Sequence, residues 1–287
     1  MILHFCDTPT MPQSIFGGRP VIIAVCVARD ARTTLDSAER SIAAGADIVE
    51  LNIAQLSDRQ IDLLQLPTAL PHYVVCRRRH FMKVYGIEPG SLADRNDQRR
   101  MELCLQMVQA GARALDMECD TFTRGENQIP KFLPPDLREL SDREDVVHAQ
   151  QKVMEKGKQN GANIVLSCHT GLPLAKEQCI KLARLMAARG ADAVKIVTAH
   201  TDPDYAEWIP SVILEMRRSV SIPFIFISMG PGSRILRAIG PYLGNAGVYC
   251  RAGSPSEFFP DHFPIQMLRD MWQLLPPQAK NESGAEI

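Results

Sequence analysis

Seven ionisable or polar side chains interrupt apolar runs of the sequence where buried strands are expected. Lys195 breaks the run AVKIV, His169 ends IVLSCH, and Ser228 lies in FIFISMG. The other four are Glu50, Arg77, Asp116 and Glu118. A buried charge without a partner costs several kcal/mol, so we expect these side chains to pair with each other or with a ligand.

Lys195 is the strongest indication of a functional site in this set, because lysine is almost never fully buried unless it is paired. A desolvated amine that has lost its proton can attack a carbonyl and form a Schiff base. His169 ends the strand before the lysine strand and could exchange protons there, although many histidines only satisfy a hydrogen bond in the core. The sequence therefore predicts an enzyme that uses Lys195 on a small carbonyl substrate.

The remaining charges leave alternatives open. Arg77 is followed by two more arginines, which is also typical of a solvated basic edge. Glu50 fits either a core ion pair or a ligand contact. Asp116 and Glu118 alternate on one face of a strand, and either could instead be the structural partner of an arginine.

Two further segments late in the chain bear on ligands. SMGPGSR leads into a helix with Arg234 in its first turn, where glycine-rich backbone and an arginine could bind a carboxylate; an ordinary loop is the alternative. His200, in VTAHTDPD, is expected at the surface rather than on a lid. No HxH or HExxH spacing occurs, so a metal site is not expected.

Short β-branched runs alternate with longer amphipathic segments, a pattern typical of repeated βα units and a parallel sheet. Three helices end in the same G-A-x-x-[VLI] step into the next strand, in AAGADIVE, QAGARALD and ARGADAVK, so the units share one architecture. We predict eight strands, at residues 21–28, 47–53, 72–78, 114–119, 163–169, 193–198, 224–230 and 247–253.

Eight such units fit a closed barrel better than an open sheet, which usually carries a phosphate or dinucleotide loop that is missing here. We therefore predict an α/β fold, a (β/α)8 TIM barrel, as a single domain over residues 1–275. The polar residues named above fall where strands end, at the face that carries the chemistry of such barrels. Residues 120–142 are predicted as a long loop, and residues 276–287 as a disordered tail.

Composition favours a small-molecule partner. The chain of 287 residues is 45% hydrophobic and has 32 basic against 33 acidic residues, which gives no broad electrostatic reason to expect nucleic acid or a membrane. The N-terminal residues lack a signal-peptide pattern, and no apolar run could span a bilayer, so we expect a cytoplasmic protein. The eight cysteines are scattered, which indicates reduced, buried thiols.

In chain order, VELxxA, VxCR, LDMEC, LSCH, VKI and SMGxxSR resemble the type I 3-dehydroquinate dehydratases, Schiff-base barrels of the shikimate pathway, which leads to aromatic amino acids. The match covers most of residues 20–258. It implies that Lys195 forms the imine, that His169 is the acid and base, and that no cofactor or metal is needed. It also implies a homodimer, since the family often forms dimers, and a small carboxylate as substrate.

The same resemblance assigns the remaining site residues. Asp116 and Glu118 would support the histidine and the lysine, and Ser228 belongs to the matched SMG segment. The family's acidic loop residue after strand three is matched by Glu88. Substrate hydroxyls and carboxylate would be held by Glu50, Arg77 and Arg234, under a lid that contains Ser254 and Glu257.

The chain departs from the family pattern at three positions. Asn52 and Ala54 replace an arginine and an aspartate, and Glu257 replaces a glutamine. The first hypothesis is dehydration of 3-dehydroquinate to 3-dehydroshikimate through an imine on Lys195. The second, which these departures motivate, is a diverged Schiff-base lyase or aldolase that acts on another hydroxy-keto acid. The third is a non-catalytic barrel that binds a carboxylate metabolite.

Overall fold

The computed structural model describes residues 14–27, 29–62, 64, 66, 71–84, 92, 95–124, 128–252, 259 and 261–277. Within them, the eight predicted strands are present: β1 Val21–Val27, β2 Ile48–Asn52, β3 His72–Val75, β4 Ala114–Glu118, β5 Asn163–His169, β6 Ala193–Ala199, β7 Phe224–Met229 and β8 Gly247–Arg251. A ninth strand of two residues, β9 Phe263–Pro264, was not predicted. The third strand ends at Val75, so Arg77 lies just beyond it.

Helices follow the strands on the outside of the sheet, because their apolar faces pack against the apolar outer faces of the strands. They are α1 Ala31–Ala43, α2 Asp58–Asp62, α3 Arg79–Val84, α4 Asp97–Gln109, α5 Glu144–Gln159, α6 Lys176–Ala188, α7 Ile209–Ser219, α8 Arg234–Leu243 and α9 Ile265–Leu274. Each of the first eight strands pairs in parallel with its neighbours in the order β7-β6-β5-β4-β3-β2-β1-β8, with β9 beside β8. The predicted (β/α)8 arrangement is confirmed.

The glycine that the sequence repeats at three helix ends has a conformational cause. Gly45, Gly111 and Gly190 have φ values of 93°, 114° and 112°, in the left-handed region that a side chain disfavours. At the first two, the next residue's amide bonds back into the helix, to Ser41 and Met107. Each glycine therefore ends a helix and turns the chain into the next strand.

Side chains alternate between the inside of the barrel and the helix layer. Tyr73, Ala114, Val165, Ala193 and Ile225 share one buried cluster at the N-terminal end of the interior. Two residues further along β4, β5 and β6, the same face carries Asp116, Ser167 and Lys195. An apolar layer thus supports a polar layer at the C-terminal end, where the site lies.

The junction of β7 and β8 is closed without a strand ladder. The Ala246 amide donates to the carbonyl of Phe224 at 2.8 Å. The side-chain amide of Asn245 accepts from the Phe226 amide and donates to its carbonyl, both at 2.9 Å. Asn245 therefore supplies, from its side chain, the pair of bonds that a neighbouring strand would otherwise make.

The cysteines and the helices of the described chain were also considered in the sequence predictions. Its seven cysteines are all unpaired and buried, as predicted, and burial raises the pKa of each thiol, for example to about 11 at Cys76 and to about 12 at Cys119. No helix within the described ranges is long and apolar enough to cross a membrane.

Candidate active site

Lys195 lies at the floor of the barrel mouth with its amine among oxygen atoms. The side chain is 4% exposed, and Nζ lies 2.6 Å from Asp116 Oδ2 and 3.7 Å from Glu50 Oε2. It also donates to the hydroxyls of Tyr73 and Tyr249, each at 3.3 Å. The register of β6 against β5 places Lys195 beside Ser167, with His169 one interior layer above.

Asp116 is the centre of this cluster. Its carboxylate accepts from Lys195, from Arg77 at 2.7 Å, from the Ser167 hydroxyl at 2.5 Å and from the Tyr73 hydroxyl. Burial opposes ionisation of this carboxyl, but the charges of Arg77 and Lys195 outweigh that cost and hold its pKa well below the usual range. Asp116 therefore remains an anion that fixes both cations.

Glu118 continues the network upward from Asp116. It accepts from Arg100 of α4 at 2.7 Å and lies 3.8 Å from Arg77. Burial opposes its ionisation as well, yet the arginines lower its pKa. Arg100 is fully buried and also donates to the Cys76 carbonyl. Arg77 is 1% exposed, so the alternative of a solvated basic edge is wrong at this position.

Two tyrosines beneath the lysine were missed in the sequence. Tyr73 lies on β3 and Tyr249 on β8, and the centres of their rings lie 5.6 Å and 5.3 Å from the Lys195 amine. Burial, together with the negative charges of Asp116 and Glu50, raises both tyrosine pKa values well above 10. Both hydroxyls therefore stay protonated and can donate to the carboxylates. In the sequence each looks like an ordinary aromatic strand residue.

His169 has a partner that was also missed. Its Nδ1 lies 2.6 Å from Glu139 Oε2, and its backbone amide donates to the same oxygen at 3.0 Å. Glu139 belongs to the long connection between β4 and α5, which the sequence predicts as a loop. The only sequence signal was a charged residue in a proline-rich segment, because nothing there shows that the loop folds back onto β5.

Asp120, just after β4, lies in the opposite electrostatic setting to Asp116. Its Oδ2 accepts from Arg78 at 2.5 Å, whereas its buried Oδ1 has no hydrogen-bond partner among the described residues. Burial raises the pKa of Asp120 to about 7. The charge of Arg78 lowers this pKa, whereas the charges of Glu139 and Glu118 raise it further. The top of β4 therefore holds one carboxyl that ionises near neutral pH.

Two predicted residues late in the chain, Ser228 and Arg234, have different surroundings from the cluster. Ser228 is buried and bonds Thr198 at 3.0 Å, and strand alternation places both on the outer face, opposite to Lys195. Arg234 is the first residue of α8, is exposed, and its guanidinium lies 5.2 Å from the centre of the Phe263 ring. Their substrate contacts remain predictions.

His200 corrects one expectation. It is 7% exposed rather than at the surface, because its ring bonds the Asp202 carbonyl at 2.6 Å and the Ser233 hydroxyl at 2.7 Å. These bonds join the loops that follow β6 and β7. Three other predicted residues, Glu88, Ser254 and Glu257, lie outside the described residues. Among the described side chains, no group of three or more potential ligands is arranged to hold a metal ion.

A family model described as type I 3-dehydroquinase matches residues 22–277. The chain belongs to the type I 3-dehydroquinase family. It is therefore a member of a family of hydro-lyases, as the resemblance in the sequence implied. The comparison with curated protein sequences found no match.

Solved structures of 3-dehydroquinate dehydratases share the fold. The Geobacillus kaustophilus protein has a TM-score of 0.68 at 19% identity, covering 90% of this chain and 92% of its own. The type I protein from Clostridium difficile, solved with covalently modified comenic acid, has a TM-score of 0.70 at 18% identity, covering 90% and 93%. The Enterococcus faecalis protein has a TM-score of 0.64 at 20% identity, covering 91% of this chain and 96% of its own.

Proposed function

We propose that this protein dehydrates 3-dehydroquinate to 3-dehydroshikimate through a Schiff base on Lys195. The observation that carries the proposal is the buried amine, held by Asp116 and Glu50 at the floor of a barrel mouth, with His169 one layer above it on the next strand. An amine so placed meets a carbonyl that enters from the open end, and an imidazole then stands beside the adjacent carbon.

The first step is formation of the imine. The ammonium of Lys195 gives a proton to Glu50, whose Oε2 has no hydrogen-bond partner among the described atoms, whereas Asp116 is already bonded by four donors. The amine then attacks the ketone carbon, and one of its protons passes to the carbonyl oxygen. The resulting carbinolamine expels hydroxide, which takes the proton held by Glu50 and leaves as water, so that an iminium remains. The positive nitrogen acidifies the neighbouring C–H, while Asp116 stabilises it at close range.

The second step is elimination. His169 removes the acidified proton, and the enamine that forms expels the β-hydroxyl. The same histidine protonates the departing hydroxyl, so that a C=C bond and water are formed and the imidazole returns to its starting state. Water then hydrolyses the imine, releases 3-dehydroshikimate and regenerates Lys195. One water is lost overall, and no metal or organic cofactor takes part.

The other predicted residues have binding roles in this proposal. Glu50, Arg77 and Arg234 hold the substrate hydroxyls and carboxylate, Glu118 supports them from the interior face of β4, and Ser228 belongs to the segment that leads to Arg234. Ser254 and Glu257 cover the substrate, and Glu88 is the acidic loop residue. The protein acts in the cytoplasm on the shikimate pathway as a homodimer of barrels, each a single domain over residues 1–275.

Two measurements test the proposal. Turnover of 3-dehydroquinate creates a conjugated enone that absorbs in the ultraviolet, and the substrate lacks this absorbance. Borohydride added during turnover should leave a reduced adduct on Lys195, found by peptide mass spectrometry, and Lys195→Ala should lose both adduct and turnover. Full activity with an unmodified lysine would rule out the Schiff base.

A second candidate is imine chemistry on another hydroxy-keto acid. Asn52, where the family has an arginine, is buried: its side-chain oxygen accepts from the Ala54 amide at 3.2 Å and its nitrogen lies 3.7 Å from Met82 Sδ. The end of β2 thus offers a substrate no positive charge. A borohydride adduct with a related keto acid, combined with no enone from 3-dehydroquinate, would select this candidate.

A further inference from the structure

We infer that Glu139 is the positioning residue of His169: it fixes the imidazole so that Nε2 exchanges protons with the substrate. This inference rests on the proposed function, which makes His169 the acid and base. It assigns to the connection between β4 and α5 a part in the reaction, although that connection carries none of the residues predicted from the sequence.

One carboxylate oxygen holds the histidine at two points. Glu139 Oε2 lies 2.6 Å from Nδ1 of the ring and 3.0 Å from the backbone nitrogen of the same residue. Both side chains are mostly buried, with His169 13% and Glu139 10% exposed, so water competes little for these bonds. A ring that donates from Nδ1 presents Nε2 as the nitrogen that takes up a proton.

The backbone on both sides of Glu139 is fixed to the barrel. The amide of Arg138 donates to the Thr170 carbonyl at 3.1 Å, and the Cys168 thiol donates to the Arg138 carbonyl at 3.3 Å. On the other side, the segment forms a β-bridge between Leu140 and Cys119 at the end of β4. The carboxylate is therefore presented from an anchored segment.

A buried arginine strengthens this anchor. Arg189, at the end of α6, donates to the Ser141 carbonyl at 2.7 Å and to the Cys119 carbonyl at 3.2 Å. Gln150 of α5 donates to the same Cys119 carbonyl at 2.9 Å. Two helices thus hold the segment that carries Glu139, which is the support that an accurately placed partner needs.

The backbone of Glu139 itself is strained. Its φ is 52°, and only one other non-glycine residue of the described chain, Phe122, has a positive φ. A glycine would adopt this conformation at no steric cost. A glutamate here is explained by its side chain, since such strain persists where the surroundings impose it and often marks functional sites.

The strain makes a discriminating variant possible. In Glu139→Gly the carboxylate and its two bonds to His169 are lost while the left-handed backbone becomes unstrained, so relief of the strain offsets part of the cost and the variant should still fold. If Glu139 positions the base, kcat for 3-dehydroquinate should fall about 10- to 100-fold, part of the factor that general acid–base catalysis supplies, with little change in KM. Glu144→Gln, on an exposed residue at the start of α5, is the matched control and should keep wild-type kcat.

A readout that does not need turnover completes the test. In wild-type protein labelled with nitrogen-15 histidine, NMR should find neutral His169 protonated at Nδ1, and in Glu139→Gly a mixture of both tautomers. Borohydride trapping on Lys195 should persist in the variant, because the lysine cluster is untouched. Wild-type kcat in Glu139→Gly, or an unchanged tautomer, would overturn the inference.

The two proposals fail in different ways. If the wild-type protein does not turn over 3-dehydroquinate, the proposed function fails while the NMR comparison still decides whether Glu139 fixes the ring. If the wild type is active and folded Glu139→Gly is equally active, the positioning role fails and the proposed function stands.

Discussion

The floor and the rim of the candidate site balance their charges in different ways. At the floor, Arg77 and Lys195 both pair with Asp116, and burial, which would raise the pKa of this aspartate, is outweighed by their charges, which lower it. At the rim, four residues along the chain, burial and neighbouring carboxylates raise the pKa of Asp120 to about 7. The two aspartates differ mainly in what surrounds them.

This difference teaches where each kind of function can be placed. Strand register positions the floor, so its side chains are fixed by the barrel itself and can hold a nucleophile in one place. Loops build the rim, where Glu139 bonds His169 and where the pKa of Asp120 lies near neutral pH, so that a protonation change becomes possible there. Fixed charge and exchangeable protons thus occupy separate layers.

The largest effect is expected when Asp116, the central carboxylate of the floor, is replaced. Asp116→Ala should leave Lys195 and Arg77 without their shared anion and lower the free energy of unfolding by about 3–5 kcal/mol. Urea unfolding would measure this, and borohydride trapping should fall with it. Asp192→Ala, on a half-exposed carboxylate that bonds Lys158 and the Ile164 amide, is the control and should cost clearly less. Equal losses would contradict a special role for the floor.

Removing the base at the rim should stop catalysis without loosening the floor. We expect His169→Ala to lower kcat about 10²- to 10⁴-fold, as general acid–base catalysis predicts, with the Lys195 adduct still trapped by borohydride. His148→Ala changes an exposed histidine of α5 and should leave kcat unchanged. Loss of the adduct in His169→Ala would show that the two layers are not separable.

A smaller effect is expected from one hydroxyl of the floor. Tyr73→Phe removes a donor to Asp116 and an acceptor for Lys195 while it keeps the ring. It should cost about 1–3 kcal/mol of unfolding free energy, because buried partners are left unsatisfied, and it should slow imine formation in single-turnover trapping. In Tyr205→Phe, a half-buried hydroxyl bonded to the Leu174 carbonyl is lost instead, and trapping should not change. Identical trapping rates would remove Tyr73 from the mechanism.

The smallest effect concerns stability and pH at the rim. Because the folded-state pKa of Asp120 is raised to about 7, its ionisation destabilises the fold as pH rises from about 4 through 7. Asp120→Asn should therefore raise the melting temperature by a few degrees at pH 8 and by clearly less at pH 5.

A neighbouring aspartate gives the opposite sign and serves as the control. For Asp97, burial opposes ionisation but the bonds and charges of Arg78 and Arg100 lower its pKa. Asp97→Asn should therefore lower the melting temperature at pH 8. The same sign for both variants would mean that their pKa values are not set by these surroundings.

The sequence predicted the floor better than the rim for a physical reason. A charged residue inside an apolar strand is visible in the sequence, and this signal found Lys195, Asp116, Glu118 and Glu50. Parallel strands in chain order then bring such residues together, so the eight βα units and the layer they share could both be predicted.

The partners that were missed depend on information that the local sequence does not contain. Tyr73 and Tyr249 matter only because β3 and β8 bring them against the same amine. Glu139 reaches His169 because its connection folds back across β5, and this depends on Arg189 of a distant helix. His200 was wrongly expected at the surface because its partner Ser233 lies in another loop.

The buried thiols have a practical consequence. Apart from Cys6, which lies outside the described residues, each cysteine is unpaired, enclosed and hard to ionise, so maleimides and mild oxidants should leave the native fold unmodified. With Cys6 replaced by serine, one new cysteine on an outer helix would accept a fluorophore at a single known place. With a second cysteine introduced in the same way, motions of the barrel mouth could be followed by energy transfer between the two dyes, without removal of the seven buried thiols.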